Sequence, residues 1–169
     1  MPARLLVEAR PGAGKTTAFR RLAELLVGTK VAGFTTEEIR EGRRRVGFTV
    51  ESLDGERGTL AHVSFTGPPR VGRYGVDLRE FERIALPALE ASEGVVLVDE
   101  LGKMELASER FRDAIEELLE RPVAFAATVQ ASRHPFTDRL KRSFEVIRLT
   151  AANRDELPQT LADRLAEPV

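Results

Sequence analysis

Leu5-Leu6-Val7-Glu8-Ala9-Arg10-Pro11-Gly12-Ala13-Gly14-Lys15-Thr16-Thr17 joins an apolar run to a glycine-rich turn and then to Lys-Thr-Thr. That order predicts a buried strand, a tight loop and the first turn of a helix, the arrangement in which a chain cradles a polyphosphate. Gly12 and Gly14 lack the Cβ atoms that would keep phosphate oxygens off the backbone N–H groups. Lys15 is expected at the β- and γ-phosphates of a nucleoside triphosphate, and the Thr16 hydroxyl at Mg²⁺. The nucleotide-binding segment is therefore Ala9, Arg10, Pro11, Gly12, Ala13, Gly14, Lys15, Thr16 and Thr17. The usual pattern, G-x-x-x-x-G-K-[ST], opens on Gly, whereas this chain has Ala9. Alanine suits that position if its φ is negative, because only a positive φ requires Gly.

Working outward, the chain alternates strand and helix patterns. A strand over Arg4 to Glu8 precedes a helix over Lys15 to about Val27, with Ala18, Leu22, Leu25 and Leu26 on its apolar face and Gly28 as its stop. Strands over Val31 to Ile39, Val46 to Leu53 and Thr59 to Phe65, with an Asp54-Gly55 turn, form an antiparallel meander inserted after the first helix. A helix over Leu78 to Ala91, capped by Asp77, contains Pro87 and so is expected to kink or end early. Gly94 to Val98 reads as a strand buried on both faces. Helices over Ser108 to Glu120, Pro135 to Arg142 and Arg154 to Leu165 alternate with strands over Val123 to Thr128 and Phe144 to Leu149. The pattern predicts a three-layer α/β fold with a mostly parallel central sheet, whose ligands belong at the carboxyl ends of the strands.

A chain of 169 residues holds one domain comfortably, so residues 1–169 are expected to form a single unit. Lys and Arg number 26 against 27 Asp and Glu, which provides no global field for nucleic acid or an anionic membrane and leaves only local contacts for either. Cysteine is absent, excluding disulfides, thiolate metal sites and a cysteine nucleophile. No signal peptide or membrane span is apparent, so the expectation is a cytoplasmic protein, and a monomer, since the alternation supplies its own core. Charged residues make up 31% of the chain, a habit of thermophile proteins.

A second constellation is Val95-Val96-Leu97-Val98-Asp99-Glu100, two carboxylates at the end of a buried strand on the edge where the phosphate loop lies. Asp99 suits Mg²⁺, through a water, and Glu100 suits the positioning of an attacking water. A nucleotide kinase can dispense with that glutamate because its acceptor is the nucleophile, so Glu100 tilts the reading toward hydrolysis. Lys15 and Glu100 are the expected catalytic pair, and Thr16 and Asp99 the expected metal ligands.

Together these blocks resemble the THEP1 family of nucleoside-triphosphatases. The resemblance rests on Pro11 to Thr17, on Gly33-Phe34-Thr35-Thr36-Glu37-Glu38-Ile39-Arg40 with Gly42 to Phe48, on Val71 to Leu78, and on Asp99-Glu100-Leu101-Gly102-Lys103-Met104-Glu105-Leu106. It spans nearly the whole chain, to Thr150 to Leu157. It implies a P-loop fold of the RecA-like branch and slow, Mg²⁺-dependent hydrolysis of ATP, GTP and other nucleoside triphosphates to the diphosphate and phosphate, with loose base preference. Asn153 and Arg154 resemble the position from which related enzymes touch the base, although Asn153 also suits a helix N-cap.

Other residues carry two readings each. Arg43, Arg44 and Arg45 offer a cation to the γ-phosphate or form an exposed hairpin turn, and alternation lets at most one or two face a ligand. Arg73 and Tyr74 either cover the nucleotide or pack across a turn. Lys103 and Glu105 orient the Asp99 loop or form a surface ion pair. Arg133, His134, Arg139 and Arg142 form an arginine-rich lid or a basic helix face, and His62 reads as a structural histidine. A nucleoside or nucleotide kinase and a nucleotide-gated interaction switch stand as the alternatives to a hydrolase.

Overall fold

The computed structural model describes residues 2–166. β1 (Arg4–Ala9) leads through the glycine loop into α1 (Lys15–Leu25). The meander consists of β2 (Val31–Glu41), β3 (Arg44–Ser52) and β4 (Arg57–His62), and two short strands extend it, β5 (Arg70–Val71) and β6 (Tyr74–Val76). There follow α2 (Leu78–Ala88), β7 (Val95–Val98), α3 (Glu109–Leu118), β8 (Ala124–Gln130), α4 (Pro135–Ser143), β9 (Glu145–Arg148) and α5 (Leu157–Leu165).

Among the described residues, nine strands join one mixed sheet in the order β5-β6-β4-β3-β2-β7-β8-β1-β9. The expectation of a mostly parallel sheet is corrected here. The pairs β2–β7, β7–β8, β8–β1 and β1–β9 are parallel, and the four pairs from β2 out to β5 are antiparallel. Within the parallel part, β1, β7 and β8 are buried on both faces, whereas the edge strand β9 is largely exposed. Leu6, Val96, Val98, Phe125 and Ala127 enter one core with α2, α3 and α4, whereas Leu5, Val7, Val95, Leu97, Ala124 and Ala126 enter a second core with α1 and α5. Strict alternation of two apolar sets is why these strands read as unbroken hydrophobic runs. The meander contributes Val50, Leu60, Ala61, Tyr74 and Val76 to the first core only. Phe34 of β2, Phe81 of α2 and Phe111 of α3 meet edge to face, with centroids 5.0 to 5.8 Å apart, where the two halves join.

Local signals set the helix ends. The Asp77 carboxylate accepts from Glu80 N at 3.1 Å and Ser108 Oγ from Phe111 N at 3.0 Å, caps each worth about 1 kcal/mol. Pro87 lies in the last turn of α2, which stops at Ala88 rather than Ala91. Three further expectations differ. The connection at Asp54-Gly55 is a four-residue loop, 53–56, closed by Ser52, which donates its N–H to Glu56 O at 2.8 Å. α5 begins at Leu157 because residues 151–156 are spent on turns. Leu25 is only half-buried, and Phe19 takes the core position on α1 instead.

From the neighbouring strands β1 and β8 the chain leaves in opposite directions, through α1 to β2 and through α4 to β9. Such a reversal opens a crevice at the carboxyl edge of a sheet, and the phosphate loop lies in it.

Candidate active site

The loop leaves β1 at Ala9, which is a buried strand residue paired with Gln130. Among the described residues no residue other than glycine has a positive φ, so Ala9 meets no conformational demand for Gly. Gly12 and Gly14 do, with φ of +79° and +91°, and nothing lies within 4 Å of where their Cβ atoms would stand. A side chain there would be strained by backbone conformation and would project where the cradle opens. Gly14 is the N-cap of α1 and makes no side-chain cap, which leaves the first-turn N–H groups of that helix available to an anion.

Three strands bring polar groups to this loop: β7 and β8 through side chains and β2 through a main-chain oxygen. Lys15 Nζ donates to Glu100 Oε2 at 2.6 Å, and Thr16 Oγ1 donates to Asp99 Oδ2 at 2.6 Å. Asp99 and Glu100, joined by a cis peptide bond, follow directly on β7. Thr128 of β8 donates its hydroxyl to Asp99 Oδ1 at 2.7 Å, and Gln130 Nε2 reaches Glu100 Oε1 at 3.4 Å. Thr36 O of β2 lies 3.2 Å from Thr16 Oγ1. Asp99 is fully buried, and burial raises its pKa against the hydrogen bonds from Thr16 and Thr128. A cation beside it would restore the carboxylate.

Glu105, expected beside Lys103 in a loop-orienting or surface ion pair, is instead buried behind Glu100. It lies in a short 3₁₀ turn, 105–107, and its Oε1 accepts from Gly102 N at 3.2 Å. Burial first, then the neighbouring Glu100 charge, push its carboxyl up to about 8.

Two cavities flank the loop and share Pro11 and Gly12. The first, of about 600 Å³, extends toward β9 between Ala13, Ala131, Arg148, Leu149, Ala151 and Arg154. The second, of about 940 Å³, contains Lys15, Thr16 and Glu100 and runs out over the meander to Arg45, Phe48 and Tyr74.

The weaker candidates separate cleanly on this geometry. Of the arginine run only Arg45 lines the second cavity, bonded to Glu38 at 3.1 Å and to the Tyr74 hydroxyl at 3.1 Å. Tyr74 is buried in the cavity wall, with the Arg73 guanidinium 5.3 Å from its ring centroid. Arg154 lines the first cavity, whereas Asn153 closes its own turn, accepting from Thr150 N at 2.8 Å and donating to Arg148 O at 2.8 Å. The N-cap of α5 is Glu156, so Asn153 does not cap it. Arg133, His134, Arg139 and Arg142 line neither cavity. His134 caps α4 by accepting from Phe136 N, and Arg139 pairs with Glu116. The His62 ring accepts from Ser64 N at 3.1 Å, and among the described residues no cluster of three or more His, Cys, Asp or Glu could hold a metal.

Thr36, Thr128, Gln130 and the burial of Glu105 were not anticipated. Thr128 and Gln130 had a signal, since they are the polar residues that end the otherwise apolar run Ala124-Phe-Ala-Ala beside the aspartate strand.

A family model described as NTPase matches residues 4–162. Nucleoside-triphosphatase THEP1 of Thermotoga maritima is 40% identical over 159 residues, covering 91% of this chain and 90% of that protein. The crystal structure of THEP1 from the hyperthermophile Aquifex aeolicus matches with a TM-score of 0.87 at 33% identity, over 97% of this chain and 99% of the other. The solution structure of a human cancer-related nucleoside triphosphatase matches with a TM-score of 0.82 at 36% identity, over 97% of each chain. Sequence, fold and the meeting of loop and carboxylates agree: the chain belongs to the THEP1 family of nucleoside-triphosphatases.

Proposed function

We propose that this nucleoside-triphosphatase hydrolyses a Mg²⁺-bound nucleoside triphosphate laid across the Arg10 to Thr17 loop, with its base in the first cavity and its γ-phosphate in the second. The observation that carries the reading is the convergence of Lys15 on Glu100 and of Thr16 on Asp99, each at 2.6 Å, from loop and strand elements more than eighty residues apart.

The donor set fits Mg²⁺. One hydroxyl and one buried carboxylate meet at hydrogen-bond distance, and a hard cation that keeps waters and phosphate oxygens needs few protein ligands. When bound, the ion would supply neutralisation of phosphate charge. Thr16 and Asp99 would hold it, and Thr128 orients Asp99. Lys15 leaves Glu100 for the phosphate oxygens, where with the loop N–H groups it stabilises charge gathering on the β–γ bridge oxygen. Glu100, then free to accept, and braced by Gln130, orients the attacking water in line with the γ-phosphorus.

The first cavity supports loose base preference. Its walls are mostly alanine, proline and leucine, joined by three arginines, Glu8 and Thr150, so that stacking and shape outweigh side-chain hydrogen bonding to a base edge. The single sheet running from β5 to β9 supports one domain over 1–169, and helices on both faces support a RecA-like P-loop fold. No helix among the described residues is long and apolar enough to cross a membrane. We read the protein as a cytoplasmic monomer.

The test is phosphate and diphosphate release from ATP and GTP, with Mg²⁺ or with a chelator, in the parent and in Glu100→Gln. The variant should lose about 10²- to 10⁴-fold in kcat while nucleotide affinity stays within about threefold. Equal loss of affinity removes the role given to Glu100, and undiminished turnover in chelator removes the metal.

A further inference from the structure

Hydrolysis needs room for one water, about 30 Å³, yet the cavity at Lys15 and Glu100 measures about 940 Å³. The γ-phosphate occupies only its loop end. Because the two cavities meet at Pro11 and Gly12, a nucleotide whose base lies toward β9 cannot also reach the meander end. That end is built like a ligand pocket. Its floor is apolar, made by Phe48, Leu60, Val71 and Tyr74, with the Phe48 and Tyr74 rings edge to face at 5.3 Å. Its rim is cationic, because one carboxylate, Glu38, serves two guanidinium groups, Arg40 at 2.7 Å and Arg45 at 3.1 Å. Positive charge is thus left unmatched beside an apolar floor, and the water-orienting carboxylate stands at the far end. Volumes of roughly 300–1,000 Å³ with a few convergent polar groups are those of small-molecule sites.

We propose that the meander end of this cavity binds a small organic acid bearing a hydroxyl group, which replaces water as acceptor of the γ-phosphoryl group. Its carboxylate pairs with Arg40 and Arg45, its apolar body lies on Phe48 and Tyr74, and its hydroxyl reaches Glu100. The hydroxyl oxygen bonds to the γ-phosphorus, the bond from that phosphorus to the β–γ bridge oxygen breaks, and the proton passes to Glu100 and then to solvent. Products are the phosphorylated acid and the nucleoside diphosphate. The inference rests on the reading above for the bound nucleoside triphosphate, for which end of the cavity faces its γ-phosphate and for Glu100 as the accepting carboxylate.

The protein contains its own reporter, since Tyr74 is the only tyrosine and tryptophan is absent. The full chain is titrated with mandelate, pantothenate, mevalonate and shikimate while tyrosine emission is followed. Label transfer from γ-labelled ATP to each probe is measured in parallel with hydrolysis in the absence of probe. At least one probe should change the emission saturably below about 1 mM and carry the label. Phe48→Ala should raise its half-saturation about tenfold while probe-free hydrolysis stays within about twofold. Silence of the emission toward all four, or binding without label transfer, overturns the proposal. Probe-free hydrolysis reports separately on the reading it builds upon.

Discussion

The parallel and antiparallel halves of the sheet share β2 but are built for different tasks. The inner parallel strands β1, β7 and β8 are sealed on both faces, and at their carboxyl edge Thr128 bonds Asp99 and Gln130 bonds Glu100. The meander has one buried face, and its rim is an exposed cluster of Glu38, Arg40 and Arg45. The lesson is that charge which must be aimed is placed on doubly buried strands, whereas charge that must adapt to a visitor is left on a half-buried ribbon.

The largest effect expected on this comparison comes from its seam. Phe81→Ala removes the ring between Phe34 and Phe111 and should cost about 3–5 kcal/mol in denaturant unfolding. A single cooperative transition would show that the halves share one core, and two separate transitions would break the comparison into two independent units. Next is Glu105, the buried acid of the sealed half. Its carboxyl is raised from 4.5 to about 8, so the folded chain keeps a proton that the unfolded chain gives up. Stability is therefore lost as pH rises from about 4.5 to about 8 and is level above that. Glu105→Gln, which keeps an acceptor for Gly102 N, should melt higher than the parent by a margin that grows across that window to on the order of 10 °C. A margin that does not change with pH would mean the acid is solvated. The smallest effect belongs to the meander rim. Glu38→Gln should change stability by less than about 1 kcal/mol, because the ion pairs it loses are exposed. A larger loss would show that the rim is a fixed structural clamp rather than an adaptable surface.

Much of this was legible in the order of residues. Gly12, Gly14, Lys15 and Thr16 specify a backbone conformation and a set of donors that few other folds require, and Asp99-Glu100 after four apolar residues marks a strand end. What escaped depends on distance along the chain. β5 and β6, of two and three residues, are too short for periodicity and exist because β4 offers β6 a partner and β6 offers one to β5. The burial of Glu105 follows from the Gly102 turn folding it back under Glu100, and neighbours in sequence do not announce that. Arg45 was one of three equivalent arginines until a register shift after Ile39 in the β2–β3 ladder and contact with Tyr74 distinguished it.

On the roles proposed for them, the bond between Lys15 and Glu100 would also act as an interlock. As long as the ammonium sits on the carboxylate, the group that would steer water would be silenced by the cation that a phosphate would recruit. Arrival of a triphosphate would draw the cation away and arm the glutamate in the same movement. Departure of the cleaved phosphate would let the pair close again, so the machinery rests disarmed between turnovers.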